Sequence, residues 1–325
     1  MSRISILGAG AWGTALAAAF TLQGHTVRLW GRSSEICDEI NRHHTNRAYL
    51  DTASLPEGLS ASTDMSAVLS DAETVLFVSP AQTTAEIAAR AVQSLPPGAT
   101  VVACAKGIDN QTGRMQSELI ADHLPGHPIG VLSGPSFAAD VVRGLPTAVT
   151  LAMADLDLAQ ALAQSLSGGA VRIYASDDVI GVQIGGSLKN VMAIAVGICR
   201  GGRMGASAEA ALVTRGYAEL VRLGVAMGAR PETLMGLSGL GDLVLTCSSE
   251  LSRNFAYGVA VGSGRDVTGL KLAEGVHTVA IANTLAAQHQ IVCPVMQTAG
   301  EVLAGRMSAD EARIALMSRP LRVED

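Results

Sequence analysis

The sequence predicts an α/β fold, an N-terminal, mostly parallel sheet followed by an all-helical C-terminal domain. Three observations carry this expectation. Short apolar runs alternate with helical patterns through the first half, as in a parallel sheet covered by helices. After about Asp178 the strand-like runs largely disappear. The chain of 325 residues is long for one ordinary core, and at 48% hydrophobic and 16% charged residues it can bury a large one. The expected domains are residues 1–178 and 179–325.

Taken in order, "RISILGAG" is a strand running into a glycine turn, and "AWGTALAAAFTLQGH" is an Ala-rich helix stopped by Gly24. "TVRLW", "ETVLFVSP", "ATVVACAKG", "PIGVLSGP", "PTAVTLA" and "AVRIYAS" read as further strands. "TTAEIAARAVQSL" and "TGRMQSELIADHL" carry helical periodicity between them. In the second half, "SAEAALVTRGYAELVRLGVAMG" and "HTVAIANTLAAQHQ" are helical, as is "SADEARIALMS", where Ser308 and Glu311 form a capping box. Aromatics are only 3%, so Ala, Val, Leu and Ile must fill the core.

Bulk charge and cysteines narrow the class. A net charge of −6 argues against a general nucleic-acid binder, whose footprint is basic. Five scattered cysteines without a C-x-x-C pair fit a reduced, cytoplasmic chain, and no metal site is expected. The first residues imitate a signal peptide, but a patterned glycine motif interrupts the apolar run. Residues 179–199 are long enough to span a bilayer, yet Gln183, Ser187, Lys189 and Asn190 crowd the segment. A buried core helix is the expectation, and its lysine needs compensation.

Within "GAGAWG", Gly8, Gly10 and Gly13 have G-x-G-x-x-G spacing between a strand and a helix, the setting of a Rossmann-type dinucleotide site. Gly8 would make the tight turn, Gly10 would admit the pyrophosphate and Gly13 would let helix and strand pack closely. An NAD site places an acid at the end of the second strand. Here Gly31 stands there, followed by Arg32, Ser33 and Ser34, a set that suits a 2′-phosphate. NADP(H) is the expected cofactor, with NAD(H) use left open.

Further polar residues fall where strands end, the usual place for ligands in open α/β sheets. Lys106 follows one strand, and Ser133, Gly134, Pro135 and Ser136 follow another. Lys106 also reads as a solvated loop side chain, and Ser136 as a helix N-cap. In the helical half, Asp242 follows Gly236, Gly239 and Gly241 and could simply cap a helix at Leu243. Ser252, Arg253 and Asn254 offer a hydroxyl, a guanidinium fork and an amide, which suits a phosphate monoester or plain surface polarity. Together these residues make a coherent carbonyl-reducing site.

The stretches "GAGAWGTALA", "AKGI", "LSGPSFA", "GGSLKNVMAIAVGI", "LVTRGYAEL", "LSGLGDLVLTC", "SRN" and "LMSRP" run in order from residue 8 to 320. On them the chain resembles the bacterial-type NAD(P)-dependent glycerol-3-phosphate dehydrogenases. The resemblance implies reversible reduction of dihydroxyacetone phosphate to sn-glycerol 3-phosphate, the phospholipid backbone precursor. It implies that Lys189 is the catalytic acid/base, with Asp242 and Lys106 beside it in the catalytic group. Lys106, Gly134, Ser136, Lys189, Asp242, Ser252, Arg253 and Asn254 are then substrate-site residues. The implied cofactor positions are Gly8, Gly10, Ala11, Trp12, Gly13, Arg32, Tyr49, Lys106, Ala138, Arg253, Leu272 and Glu274. Ser187 and Val196 depart from the smaller residues common at their positions and are read as packing variants. The runner-up is another two-domain NADP-dependent ketone reductase of the ketopantoate or β-hydroxyacid type. A non-catalytic NADP sensor is the different-class alternative. A homodimer through the helical half is carried as an expectation.

Overall fold

The computed structural model describes residues 1–270 and 273–320. The chain divides into two units, Met1–Gln183 and Ile184–Asp325, so the division falls inside a long helix. The sequence expectation put it at 178, before that helix begins.

The first unit alternates strands and helices. In order these are β1 (Arg3–Leu7), α1 (Ala11–Leu22), β2 (Thr26–Trp30), α2 (Ser34–His43), α3 (Arg47–Leu50), β3 (Ser60–Ser62), α4 (Met65–Leu69) and β4 (Thr74–Phe77). Then come α5 (Thr84–Ala91), β5 (Thr100–Ala103), α6 (Gln116–His123), β6 (Ile129–Ser133), α7 (Ala138–Val142), β7 (Thr147–Met153), α8 (Leu156–Leu166) and β8 (Val171–Ser176). The strand order is β3-β2-β1-β4-β5-β6-β7-β8. Neighbours pair in parallel except β6 and β7, which pair antiparallel.

Strands covered on both faces must be apolar at every position, which is why they read as continuous runs. β4 is buried throughout, with Leu76 in the core on one face and Val75 and Phe77 in the core on the other. β5 repeats the alternation with Val102 against Val101 and Ala103. The strand order reverses between β1 and β4, and doubly wound folds bind dinucleotides beyond the carboxyl ends of the strands at such a switch point.

The second unit is helical. The helix α9 (Val179–Gly201) is followed by α10 (Ala206–Ala226), α11 (Pro231–Met235), a π-helical turn (Leu237–Gly241), α12 (Asp242–Cys247) and α13 (Arg253–Gly262). Next are α14 (Glu274–Gln288), α15 (Pro294–Leu303) and α16 (Ala309–Met317), the last opened by the expected Ser308–Glu311 capping box. The α9 helix is long and apolar enough to cross a membrane, but 89% of its most apolar window is buried inside the protein. It meets α13 backbone to backbone: a Cβ on Gly197 would lie 2.3 Å from the Phe255 carbonyl oxygen, and one on Gly258 2.2 Å from that of Ile194. Small residues at this crossing let the helices approach closely, and α9 thereby becomes a fixed axis for the side chains it carries.

Candidate active site

The glycine turn of the first unit is built for close backbone approach. Gly8 has φ +132°, and a Cβ there would sit 2.8 Å from the Val78 carbonyl oxygen. A Cβ on Gly13 would lie 1.9 Å from the Gly8 carbonyl oxygen, so α1 can rest on the turn only as glycine. Gly10 differs, because a Cβ there would meet nothing within 4 Å. It is the N-cap of α1 and no side chain caps that end. The result is an open cradle at a helix N-terminus, which suits an anion such as a pyrophosphate. Beside it, the buried Ser79 hydroxyl after β4 has no hydrogen-bond partner. Ala11 and Trp12 open α1, and both pack with Ala138, the first residue of α7, on one core cluster. These features fit a dinucleotide.

At the end of β2, a Cβ on Gly31 would come within 2.9 Å of the Ala9 Cβ and 3.1 Å of the Cys37 Sγ. A carboxylate side chain at that position would need Ala9 and Cys37 to shift. Arg32 follows and is exposed. Ser33 has a structural task as well, since its hydroxyl accepts the Ile36 N–H and caps α2. Tyr49 lies half-exposed on α3.

Three expected substrate residues of this unit meet at one atom. The Lys106 Nζ donates to the Gly134 carbonyl at 2.9 Å, and the Ser136 hydroxyl donates to the same oxygen at 3.0 Å. Lys106 is therefore held in place and is no freely solvated loop residue. The N-cap reading of Ser136 does not hold: Phe137 is the N-cap of α7 and its side chain makes no cap. Serine's hydroxyl turns back on its own turn, where Gly134 at φ +150° presents the carbonyl.

In the second unit, Lys189 and Asp242 form a buried pair. The Lys189 Nζ donates to Asp242 Oδ1 at 2.5 Å and to Thr246 Oγ1 at 2.7 Å. Their side chains are 8% and 1% exposed. Asp242 is the first helical residue of α12, after the Gly241 N-cap, so it does not cap a helix at Leu243. The π-helical turn before it packs closely on α9 at Gly185, where a Cβ would lie 2.6 Å from the Ser238 carbonyl oxygen. The carboxylate gives the buried ammonium an opposite charge and a hydrogen-bond acceptor, the compensation that burial of a lone charge requires. Thr246 sits one turn beyond Asp242 and donates to its carbonyl at 2.6 Å, leaving its lone pairs for the lysine. Sequence reasoning missed Thr246; the i, i+4 spacing from Asp242 was the available signal. Burial pushes the adjacent Cys247 thiol up to about 12, so it is not a nucleophile here.

The "SRN" residues part company. Ser252 is buried and caps α13 by accepting the Phe255 N–H at 3.2 Å. Asn254 is buried, donating to Asn190 Oδ1 and accepting from the Gly275 N–H, each at 2.9 Å. Only Arg253 is exposed, so surface polarity fails for its two neighbours. Glu274 opens α14 half-buried; burial raises its carboxyl and the nearby Arg253 charge lowers it. Leu272 lies outside the described residues. No cluster of His, Cys, Asp and Glu that could hold a metal occurs among the described residues.

Family models for the N-terminus and C-terminus of NAD-dependent glycerol-3-phosphate dehydrogenase match residues 3–159 and 178–313. The chain belongs to this family. It is 52% identical over 324 residues to the glycerol-3-phosphate dehydrogenase [NAD(P)+] of Brucella ovis, covering 100% of this chain and 99% of that one. It is 51% identical to that of Mesorhizobium japonicum, covering 99% and 94%. The crystal structure of the Coxiella burnetii glycerol-3-phosphate dehydrogenase matches with a TM-score of 0.93 at 37% identity, over 98% of this chain and 99% of that one. A Rossmann-type domain followed by a helical domain is the shared architecture. The ketopantoate-type and sensor alternatives are not favoured by full-length identity of this kind.

Proposed function

We propose that the protein catalyses the reversible NAD(P)H-dependent reduction of dihydroxyacetone phosphate to sn-glycerol 3-phosphate, supplying the glycerophospholipid backbone. The observation that carries the reading is the buried Lys189–Asp242–Thr246 constellation in a chain of this family. A nicotinamide dinucleotide held by the glycine turn would supply the hydride for the ketone carbon. Negative charge then grows on the carbonyl oxygen, and the Lys189 ammonium stabilises that charge and delivers the proton. Asp242 and Thr246 accept hydrogen bonds from the amine and fix its direction. In glycerol 3-phosphate oxidation the same amine takes the proton back.

Arg253 and Asn254 hold the substrate phosphate in this reading. Arg253 is exposed at the first turn of α13, and Asn254 keeps one amide hydrogen beyond its bond to Asn190. Phosphate binding away from the reacting carbon positions the ketone and lowers the barrier. Lys106, Gly134 and Ser136 are substrate residues in the same reading. The glycine turn, Ala11, Trp12, Tyr49 and Ala138 line the dinucleotide site of the first unit, and Arg32 selects NADP(H). Five buried free cysteines support a reducing, cytoplasmic setting, and a homodimer through the helical unit belongs to the same reading. The test is to follow NADPH and NADH oxidation separately with dihydroxyacetone phosphate. Rapid, NADPH-preferring turnover supports the proposal; turnover of 2-keto acids without turnover of dihydroxyacetone phosphate would overturn it.

A further inference from the structure

Behind the glycine turn lies a side chain with no part in the account so far. Asn46 is completely buried, and its Nδ2 donates to the Ala9 carbonyl at 3.1 Å and to Thr14 Oγ1 at 2.9 Å. Thr14 is itself fully buried in α1. Asn46 is locked in turn by its own backbone, because its carbonyl accepts the N–H groups of Tyr49 and Leu50 at the start of α3.

The consequence follows from peptide geometry. The Ala9 carbonyl and the Gly10 N–H belong to one planar trans peptide, so they point in opposite directions. Anchoring the carbonyl on Asn46 aims the Gly10 N–H away from Asn46, at a residue where an added Cβ would meet nothing within 4 Å. Glycine at this position tolerates many orientations of that peptide, and only one presents the donor to an anion. The second N–H of the same amide, on Thr14, ties the turn to the first turn of α1. The geometry points to Asn46 as a positioning residue that orients the Gly10 amide, and thereby sets affinity for the dinucleotide pyrophosphate without touching it. This rests on the family's NAD(P) dependence and not on the choice of substrate.

The test measures NADPH affinity by fluorescence titration, with kcat and both KM values, for Asn46→Ala and Asn46→Asp. Asp keeps the shape but sets oxygen against the Ala9 carbonyl. Both should weaken NADPH binding roughly tenfold or more, the worth of a lost oriented donor to an anion, while kcat at saturating NADPH and the KM for the ketone stay within about twofold. Thr14→Val removes one of the two acceptors and should give a smaller weakening in the same direction, which keeps the inference testable if the Asn46 variants do not fold. Leu55→Ala, in the same segment and core cluster, should lower stability and leave NADPH affinity unchanged. Unaltered affinity in folded Asn46 variants, or an equal loss in Leu55→Ala, would overturn the inference. NADPH binding is read without the ketone, so a wrong substrate assignment would surface separately, as absent turnover in the unmodified protein.

Discussion

The glycine turn after β1 and the lysine on α9 solve opposite problems. The turn is nearly all backbone: Gly8 and Gly13 leave no room for a Cβ, and its donors are main-chain amides. The lysine site is nearly all side chain: an ammonium, a carboxylate and a hydroxyl within hydrogen-bond reach, all buried. A backbone site binds a ligand by shape and a fixed dipole, and it carries no group that gains or loses a proton. A buried charged site is costly for the fold, which makes it a candidate for proton transfer. The difference teaches which region to perturb for affinity and which for turnover.

Outside the buried lysine site itself, the largest effect should come from Arg253→Ala. We expect kcat/KM for dihydroxyacetone phosphate to fall about a hundredfold or more, as for loss of a charge-assisted phosphate contact, and to fall far less for unphosphorylated dihydroxyacetone. Equal losses on the two ketones would remove the phosphate role. Next, Arg32→Glu should sharpen the backbone region by reversing its cofactor choice. The NADPH/NADH ratio of kcat/KM should drop by roughly tenfold to a hundredfold, with binding through the glycine turn retained. An unmoved ratio would leave Arg32 as a surface residue.

A third effect, on stability and not on turnover, lies away from both regions, in a buried acid with a structural role. Glu219 on α10 is 2% exposed and accepts the Val295 N–H at 2.7 Å and the Met296 N–H at 3.1 Å, capping α15. Burial pushes its carboxyl up to about 7 from 4.5. A folded-state value above the unfolded one means the folded chain holds the proton more tightly. Its contribution is therefore full below the unfolded value and is lost as pH rises through about 7, a change of about 3 kcal/mol. Glu219→Gln should flatten that part of the stability profile between about pH 5 and about pH 8, measured by denaturant midpoints. A profile identical to that of the unmodified protein would contradict the buried-acid account.

Much of the fold was legible because burial leaves a direct mark. Strands covered on both faces are apolar runs, and β4 and β5 could be read as such. β3 could not: "SAS" is three residues long at the sheet edge and carries no apolar run. The antiparallel direction of β7 was equally invisible, since "TAVTLAM" reads the same either way. At the site, Lys189 stood out as a lone charge in an apolar helix. Asp242 and Ser136 were each offered as a cap, because the sequence shows which residues can cap but not where a helix starts. Thr246 and Asn46 went unread for a related reason. Their value depends on what faces them in space, a neighbouring carboxylate one turn away and a carbonyl some 37 residues distant in the chain.

The central claim is that Lys189 supplies the proton and the first unit holds the cofactor without it. The direct measurement is Lys189→Ala, with the Lys189→Met/Asp242→Asn double variant as a control free of an unpaired buried charge. NADPH affinity and single-turnover reduction of dihydroxyacetone phosphate are read on both. The account predicts NADPH affinity within about twofold of the unmodified protein and a hydride-transfer rate lower by about a thousandfold or more. A folded variant that still reduces the ketone at a near-normal rate would contradict it.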